Sequence, residues 1–308
     1  MADFTHGFWD FYIVIITLLS IAGCGILLYA QASHKIQPGE GADGTTGHVW
    51  DGDLTELNTP LPRWWMWLFW ITIVFALSYL ALYPGLGSYA GKLGWTSHGE
   101  YTEELGKAKA EYGPLFTRFA SQDLETVAAD PQAHVMGERL FLTYCAQCHG
   151  SDARGSKGFP DLTDKDWLYG GAPSVIKATI MKGRNGVMPA MGAALGSDAD
   201  IENVAQYVKS LSGMTNDPIK TAFGKGKFAA CMACHSAGGV GNQALGAPNL
   251  SDKIWLHGGS AETIMETIRK GRNSTMPAFE EFLGEDKVHV LAAYVWSLSA
   301  EKKVMAAK

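Results

Sequence analysis

The sequence predicts an all-α chain: two apolar helices of membrane-spanning length, then two copies of one small helical unit. Three observations carry that prediction. Two long stretches near the front, Phe11 to Ala30 and Trp64 to Tyr83, contain no charged residue. The segment Pro160–Ala190 recurs as Pro248–Ala278, with more than half of its positions identical. No run of alternating polar and apolar residues suggests a sheet. With 308 residues and a hydrophobic share of 47%, two compact domains and extra segments fit the chain. A net charge of −6 argues against a nucleic-acid partner.

The first apolar segment, residues 8–32, reads FWDFYIVIITLLSIAGCGILLYAQA. At ~1.5 Å per residue its uncharged part covers roughly 30 Å, the thickness of a bilayer's hydrocarbon core. Ala30-Gln31-Ala32 resembles a signal-peptide cleavage site, but the basic residues that precede a cleaved leader are missing, so a retained span is expected. The second, residues 64–83, reads WWMWLFWITIVFALSYLALY. Tryptophans crowd its start and Tyr79 and Tyr83 its end, as membrane interfaces favour, and Pro84-Gly85 stop it. Residues 1–83 are thus expected to form a membrane anchor contacting lipid, with both ends on one side. Met1–Asp10 has no Lys or Arg and the connection carries Lys35 and Arg63, which agrees with a cytoplasmic connection. Cys24, at mid-span, reads as a packing residue.

Residues 84–129 read as a linker: a glycine-rich start, PGLGSYAGKLGW, then the polar, moderately helical stretches SHGEYTEELGKAKAEY and PLFTRFASQDLETVAAD. Two repeats follow, 130–214 and 215–308. Each opens with Asp-Pro, at Asp130-Pro131 and Asp217-Pro218, an N-cap followed by proline at the first helical position. Each opening helix leads to CxxCH: Cys145, Cys148 and His149 in one, Cys231, Cys234 and His235 in the other. Each repeat ends in an amphipathic helix. Ile201, Val204, Ala205, Val208 and Leu211 form one stripe, and Val288, Leu291, Ala292, Val295 and Leu298 the other. These terminal helices should pack across the opening helices.

Three chemistries use CxxC. A redox dithiol needs the motif at the start of a helix in a βαβ pattern, which is absent. A zinc site needs two further ligands at matched spacing, and no partner pair stands nearby. The third is covalent haem: two thioethers to the porphyrin and a histidine beneath the iron. Two copies in one chain select it, since composition alone gives roughly 0.002 chance matches. The chain is therefore expected to carry two covalently bound haem c groups, with His149 and His235 as proximal ligands.

A six-coordinate electron carrier needs a second axial ligand. Only Met188 and Met276 recur between the repeats, each before a proline in a Gly/Asn-rich loop. Met181 matches Arg269, Met191 matches Phe279, Met265 matches Lys177 and His257 matches Tyr169. Each methionine serving its own repeat is the simplest case; an exchange needs the domains to face each other closely. Trp167 and Trp255 read as core aromatics near the haem edge. Arg184 and Arg272 read equally as propionate partners or as solvated residues after a helix.

The connection and second span, DGDLTELNTPLPRWWMWLFWITIVFALSYLALYPGLG, resemble those of the diheme (FixP-type, subunit III) subunit of cbb3-type cytochrome c oxidases, and the resemblance extends over the whole chain. It implies two tandem class I cytochrome c domains behind the anchor on a bacterial inner membrane; some members of the family have one span, whereas this sequence reads as multi-pass with two, and covalent haem attachment in the oxidising compartment places the haem domains in the periplasm. It implies a subunit that accepts electrons from a donor cytochrome c and relays them to the monohaem and catalytic subunits, where O2 is reduced in aerobic respiration and protons are moved. By the family pattern Cys145, Cys148, Cys231 and Cys234 hold the haems, and His149, His235, Met188 and Met276 ligate iron, with the exchanged methionine arrangement left open. No catalytic residue is expected in this chain: His6 and His34 only flank the first span, and no intramembrane histidine cluster exists for an oxygen site. The alternative is a diheme electron-transfer subunit of another respiratory or dehydrogenase complex. A haem peroxidase or gas sensor would need an open iron face.

Overall fold

A computed structural model describes residues 7–33, 44–57 and 61–305, with side chains as far as Ser299. His6, His34, Lys35 and residues 58–60 of the LNTPLPRWW stretch lie outside the described residues. The chain divides into two units, residues 1–110 and 111–308.

The front unit is built on α1 (Gly7–Ser33) and α2 (Arg63–Leu82), both long and apolar enough to cross a membrane. They lie side by side where Gly25 leaves room for the Trp70 ring. Most of the large apolar side chains on them are exposed, a surface suited to lipid rather than water. Asp10 has a local role. Its carboxylate accepts a hydrogen bond from the Ser88 amide at a turn where Gly87 has φ +57. The segment after α2 then folds back: the amides of Lys92 and Leu93 donate to the Ala81 and Leu82 carbonyls at 3.1 and 2.9 Å. These bonds satisfy carbonyls that the helix end leaves open.

Short strands depart from a purely helical expectation, the first pair in the front unit. Strands β1 (Thr45–Trp50) and β2 (Leu54–Leu57) form an antiparallel hairpin between the two long helices. Its Asp51-Gly52 turn has positive φ at both positions, the geometry that an Asp-Gly pair serves. The strands, of 6 and 4 residues, are too short for periodicity to reveal.

Helix α3 (Ser97–Ala120) runs from the first unit into the second, followed by α4 (Leu124–Ala129). The first repeat supplies α5 (Pro131–Tyr144), α6 (Ala146–His149), α7 (Pro173–Lys182), β3 (Arg184–Met188), α8 (Gly192–Leu195) and α9 (Asp198–Leu211). The second supplies α10 (Pro218–Lys227), α11 (Met232–His235), α12 (Ala261–Lys270), β4 (Arg272–Met276), α13 (Glu280–Leu283) and α14 (Glu285–Met305). The Asp-Pro starts cap as their chemistry requires: Asp130 accepts from the amides of Gln132 and Ala133, and Asp217 from those of Ile219 and Lys220.

Packing does not follow chain order. Helix α14, the last of the second repeat, packs on α5 and α7 of the first. One core joins Phe141, Ile176 and Ile180 to Leu283, Val288, Leu291 and Val295. Helix α9, the last of the first repeat, packs on α10 and α12 of the second, joining Ile201, Val204 and Val208 to Phe228, Ile264 and Ile268. The terminal helices do cross opening helices, but each crosses that of the other repeat. The boundary drawn at 214/215 divides the chain and not the cores. Likewise the boundary at 129/130 is crossed: Phe119 and Val127 are fully buried against Val290 and Ala293, because α3 and α4 cover the back of α14.

Both crossings pass over a glycine. A Cβ on Gly137 would stand 2.5 Å from Cβ of Tyr294, and one on Gly224 would overlap the Asn203 carbonyl beside Tyr207. Strands β3 and β4 seal the exchange as an antiparallel ribbon, pairing Arg184 with Met276 and Met188 with Arg272.

Candidate haem sites

Each CxxCH string folds into a single helical turn at the end of its opening helix. In the first, the amides of Cys148 and His149 both donate to the Cys145 carbonyl, at 3.1 and 2.9 Å. All four motif cysteines are free thiols, with Cys145 and Cys231 half-buried and Cys148 and Cys234 exposed. Burial, with Cys148 adding to it, pushes the Cys145 thiol up to about 11, and burial also raises Cys231. That is the reverse of a redox dithiol, whose nucleophile is held as thiolate.

The histidines are oriented in the same way. Nδ1 of His149 lies 3.0 Å from the Pro160 carbonyl, and Nδ1 of His235 lies 3.0 Å from that of Pro248. A carbonyl can only accept, so Nδ1 carries the proton and the lone pair is left on Nε2, as an axial iron ligand requires. Burial lowers the pKa of His149, against the opposing pull of the Pro160 carbonyl, and favours the neutral ring that binds metal.

The recurring methionines sit at the ends of the ribbon. Met276 packs against the core that contains Phe141 and Ile180 of the first repeat, as Cys145 and Trp167 do. The chain beyond it is pinned there by the Phe279 amide donating to the Ile180 carbonyl at 3.1 Å. The chain beyond Met188 is pinned in the mirror sense, the Met191 amide donating to the Ile268 carbonyl at 2.8 Å. Gly183 and Gly271, both with φ near +70, let these loops pass: a Cβ on Gly183 would strike the Met276 carbonyl, and one on Gly271 that of Met188.

The arginines are held by threonines. Nε of Arg184 donates to Thr179 Oγ1 and Nε of Arg272 to Thr267 Oγ1, both at 2.9 Å. The Arg184 guanidinium lies 4.6 Å from the centre of the Tyr169 ring. In the other repeat His257 takes the place of that tyrosine, and its pKa is lowered first by burial, then by Arg272 and Lys157. A cleft of about 620 Å³ opens among Pro160, Pro248, Trp255 and His257. The Trp255 indole Nε1 is buried without a hydrogen-bond partner.

These residues fit covalent haem. Cys145 and Cys231 are half-buried, the imidazoles present Nε2, and Trp255 has a buried donor that needs an acceptor such as a propionate. Among the described residues there is no cluster of three His, Cys, Asp or Glu side chains that could hold a bare metal ion. Sequence reading alone missed Pro160, Pro248, Thr179 and Thr267. All four recur between the repeats, and that recurrence was the available signal.

Known proteins resemble this chain over the same regions. A family model described as the N-terminal domain of cytochrome oxidase-cbb3, FixP, matches residues 42–90. A second, described as cytochrome c oxidase, cbb3-type, subunit III, matches residues 132–208 and 223–295. The Cbb3-type cytochrome c oxidase subunit CcoP of Rubrivivax gelatinosus is 52% identical over 306 residues, covering 99% of this chain and 100% of the relative. The FixP subunit of Azorhizobium caulinodans is 41% identical, covering 87% and 97%. CcoP of Cereibacter sphaeroides is 38% identical, covering 86% and 97%.

Proposed function

The chain belongs to the CcoP/FixP family of cytochrome subunits of cbb3-type cytochrome c oxidases, and from that premise we propose that it relays electrons through two haems toward the oxygen-reducing subunit. Family membership makes it part of an oxidoreductase complex of the respiratory chain, with cytochrome domains that bind haem c and with other oxidase subunits as partners. Bound haem supplies a one-electron ferric/ferrous couple. Cys145 and Cys148 anchor one haem and Cys231 and Cys234 the other. His149 and His235 present Nε2 from below, oriented by Pro160 and Pro248.

The methionines are exchanged in this reading. Met276 closes the site of His149, and Met188 closes that of His235. The packing of Met276 against the same core cluster as Cys145 and Trp167 of the first repeat is the observation that carries it. Thioether ligation favours ferrous iron and sets a higher potential than two histidines would. With His149, His235, Met188 and Met276 holding the irons, neither site would leave O2 a place to bind, and oxygen reduction would belong to the catalytic subunit. Arg184 and Arg272, fixed by Thr179 and Thr267, are placed to pair with propionates along the ribbon that links the two sites. Both long helices cross the inner membrane against lipid, and the haem-bearing unit lies in the periplasm, where a donor cytochrome c can reach it.

Single-haem variants test the exchange. With Cys231→Ser and Cys234→Ser, only the haem at His149 remains. Met276→Leu should then abolish the thioether-to-iron charge-transfer band, while Met188→Leu leaves it intact. The opposite pattern returns each methionine to its own repeat. Copurification of the intact chain with O2-reductase activity separates this function from that of a diheme subunit of another complex.

A further inference from the structure

The hairpin β1–β2 is the part of the front unit whose chemistry the spans do not explain. Its large apolar residues are turned outward on both faces: Val49 and Trp50 are 58% exposed, Leu54 61% and Leu57 67%. A lone two-stranded hairpin is marginal in water, and its open edges invite pairing. Yet this one is locked: Glu56 accepts from Trp50 Nε1 at 2.9 Å and from Thr46 Oγ1 at 3.2 Å. It is also tethered close to a span, since Leu57 lies six residues before Arg63, a reach of about 20 Å at full extension.

The charge on the hairpin selects what covers it. Asp51, Asp53 and Glu56 are exposed, His48 lies 3.9 Å from Glu56, and the connection's Lys and Arg residues are Lys35 and Arg63. An anionic lipid surface is disfavoured by that balance, and the indole N–H that would anchor Trp50 among headgroups is already given to Glu56. A second copy is disfavoured too, because symmetric pairing brings the same carboxylates together. Loops of membrane proteins on the cytoplasmic side are enriched in Lys and Arg. A partner spanning the same membrane therefore presents basic loops at this level, complementary to an acidic, apolar-faced ribbon. The matched family segment, residues 42–90, contains the hairpin and the second span together and not the first span.

We propose that the hairpin Thr45–Leu57 is the docking element that joins this chain to a basic cytoplasmic loop of a membrane-embedded subunit of the same oxidase. This rests on the orientation given above. A photoreactive phenylalanine analogue placed at Leu54 of the full chain, in cells making the whole oxidase, reads the contact directly. The expected product is an adduct with a membrane-embedded oxidase subunit, identified by mass spectrometry and lost in Asp51→Lys/Asp53→Lys. An adduct with lipid, with a second copy, or none at all overturns the proposal. In a companion experiment, Leu54→Ser/Leu57→Ser should leave the chain in membranes with its covalent haem stain unchanged, yet cut its recovery with the oxidase by about tenfold. Unchanged recovery overturns the docking role. If the unmodified chain itself failed to copurify with the oxidase, the oxidase-subunit reading would fall, and this proposal with it.

Discussion

Helices α9 and α14 hold the same place in the repeat, yet α9 buries one face and α14 nearly its whole circumference. On α9 the buried residues are Ile201, Val204, Ala205 and Val208. On α14 every residue from Val288 to Val295 is buried. The difference lies where the repeats diverge: Asn203 and Gln206 on α9 stand opposite Val290 and Ala293 on α14. Gln206 uses its side-chain oxygen to accept from the Asp217 amide, at 3.1 Å. Val290 and Ala293 instead meet Phe119 and Val127, from the segment that precedes the first repeat. The unit around His149 is therefore closed by the last helix of the chain and braced by α3 and α4, while the unit around His235 is closed by α9 without that brace. A duplication has become asymmetric through what was attached in front of it.

The largest effect expected from breaking this asymmetry comes from Phe119→Ala. Removing a fully buried ring costs about 3–5 kcal/mol, and the loss should fall on the braced unit alone. Amide exchange followed by segment is the measurement. α5 and α14 should exchange much faster in the variant, and α9 and α10 should be unaffected. Uniform acceleration across all four helices would mean that the two cores unfold as one.

The lesson for sequence reading follows the same line. What was legible depended on local chemistry: the Asp-Pro caps, the CxxCH turns, the apolar stripes, and the recurrence of Met188 with Met276. The exchange of α9 and α14 was not legible, because both helices carry the same stripe and each suits either opening helix. Deciding between them takes the third dimension, in which β3 meets β4 and carries the chain across. The glycines at the crossings, Gly137 and Gly224, were hidden for a related reason. A helical glycine reads as a weakness until the aromatic that fills its space is located in another repeat. Val290 and Ala293 did carry a hint: an apolar residue where the other repeat is polar implies a cover, and the cover lay in the stretch read as a linker.

A smaller contrast sits directly after the histidines. Gly150 has φ +78 and ψ 154, and its counterpart Ser236 has φ +65 and ψ 168, a region that side chains avoid. Holding a non-glycine residue there costs about 1–3 kcal/mol. Ser236 recovers part of this by donating from Oγ to the Gly241 carbonyl at 2.9 Å, a bond worth about 0.5–1.5 kcal/mol. Ser236→Gly should therefore raise stability by about 1 kcal/mol, and Gly150→Ser should lower it by about 1–2 kcal/mol. Urea midpoints of the two variants check the opposite signs; a shared sign would show that the turns differ in more than their side chains.

The smallest effect, and the one that discriminates most finely, concerns His289, which replaces Glu202 of the other half. Its Nε2 lies 3.0 Å from the Gln122 carbonyl and so carries a proton, while its buried Nδ1 has no partner. Burial lowers its pKa and Lys177 adds to this, against the pull of the Gln122 carbonyl, Glu285 and Asp286. The sign of the pH dependence follows. With the folded value below the ordinary one, the unfolded chain takes up the proton first as pH falls. The braced unit is then at full stability above the ordinary histidine value of about 6.5, and loses stability as pH falls through it toward the lowered folded value. In His289→Gln a side-chain amide can still donate to the Gln122 carbonyl, and nothing there titrates. Melting curves between about pH 8 and about pH 5 should show a shallower acid loss for α5 and α14 in the variant than in the parent, with α9 and α10 falling alike in both. Parallel acid losses at α14 would mean that the linker brace is insensitive to this proton, and that carboxylates elsewhere set the acid limit of the unit.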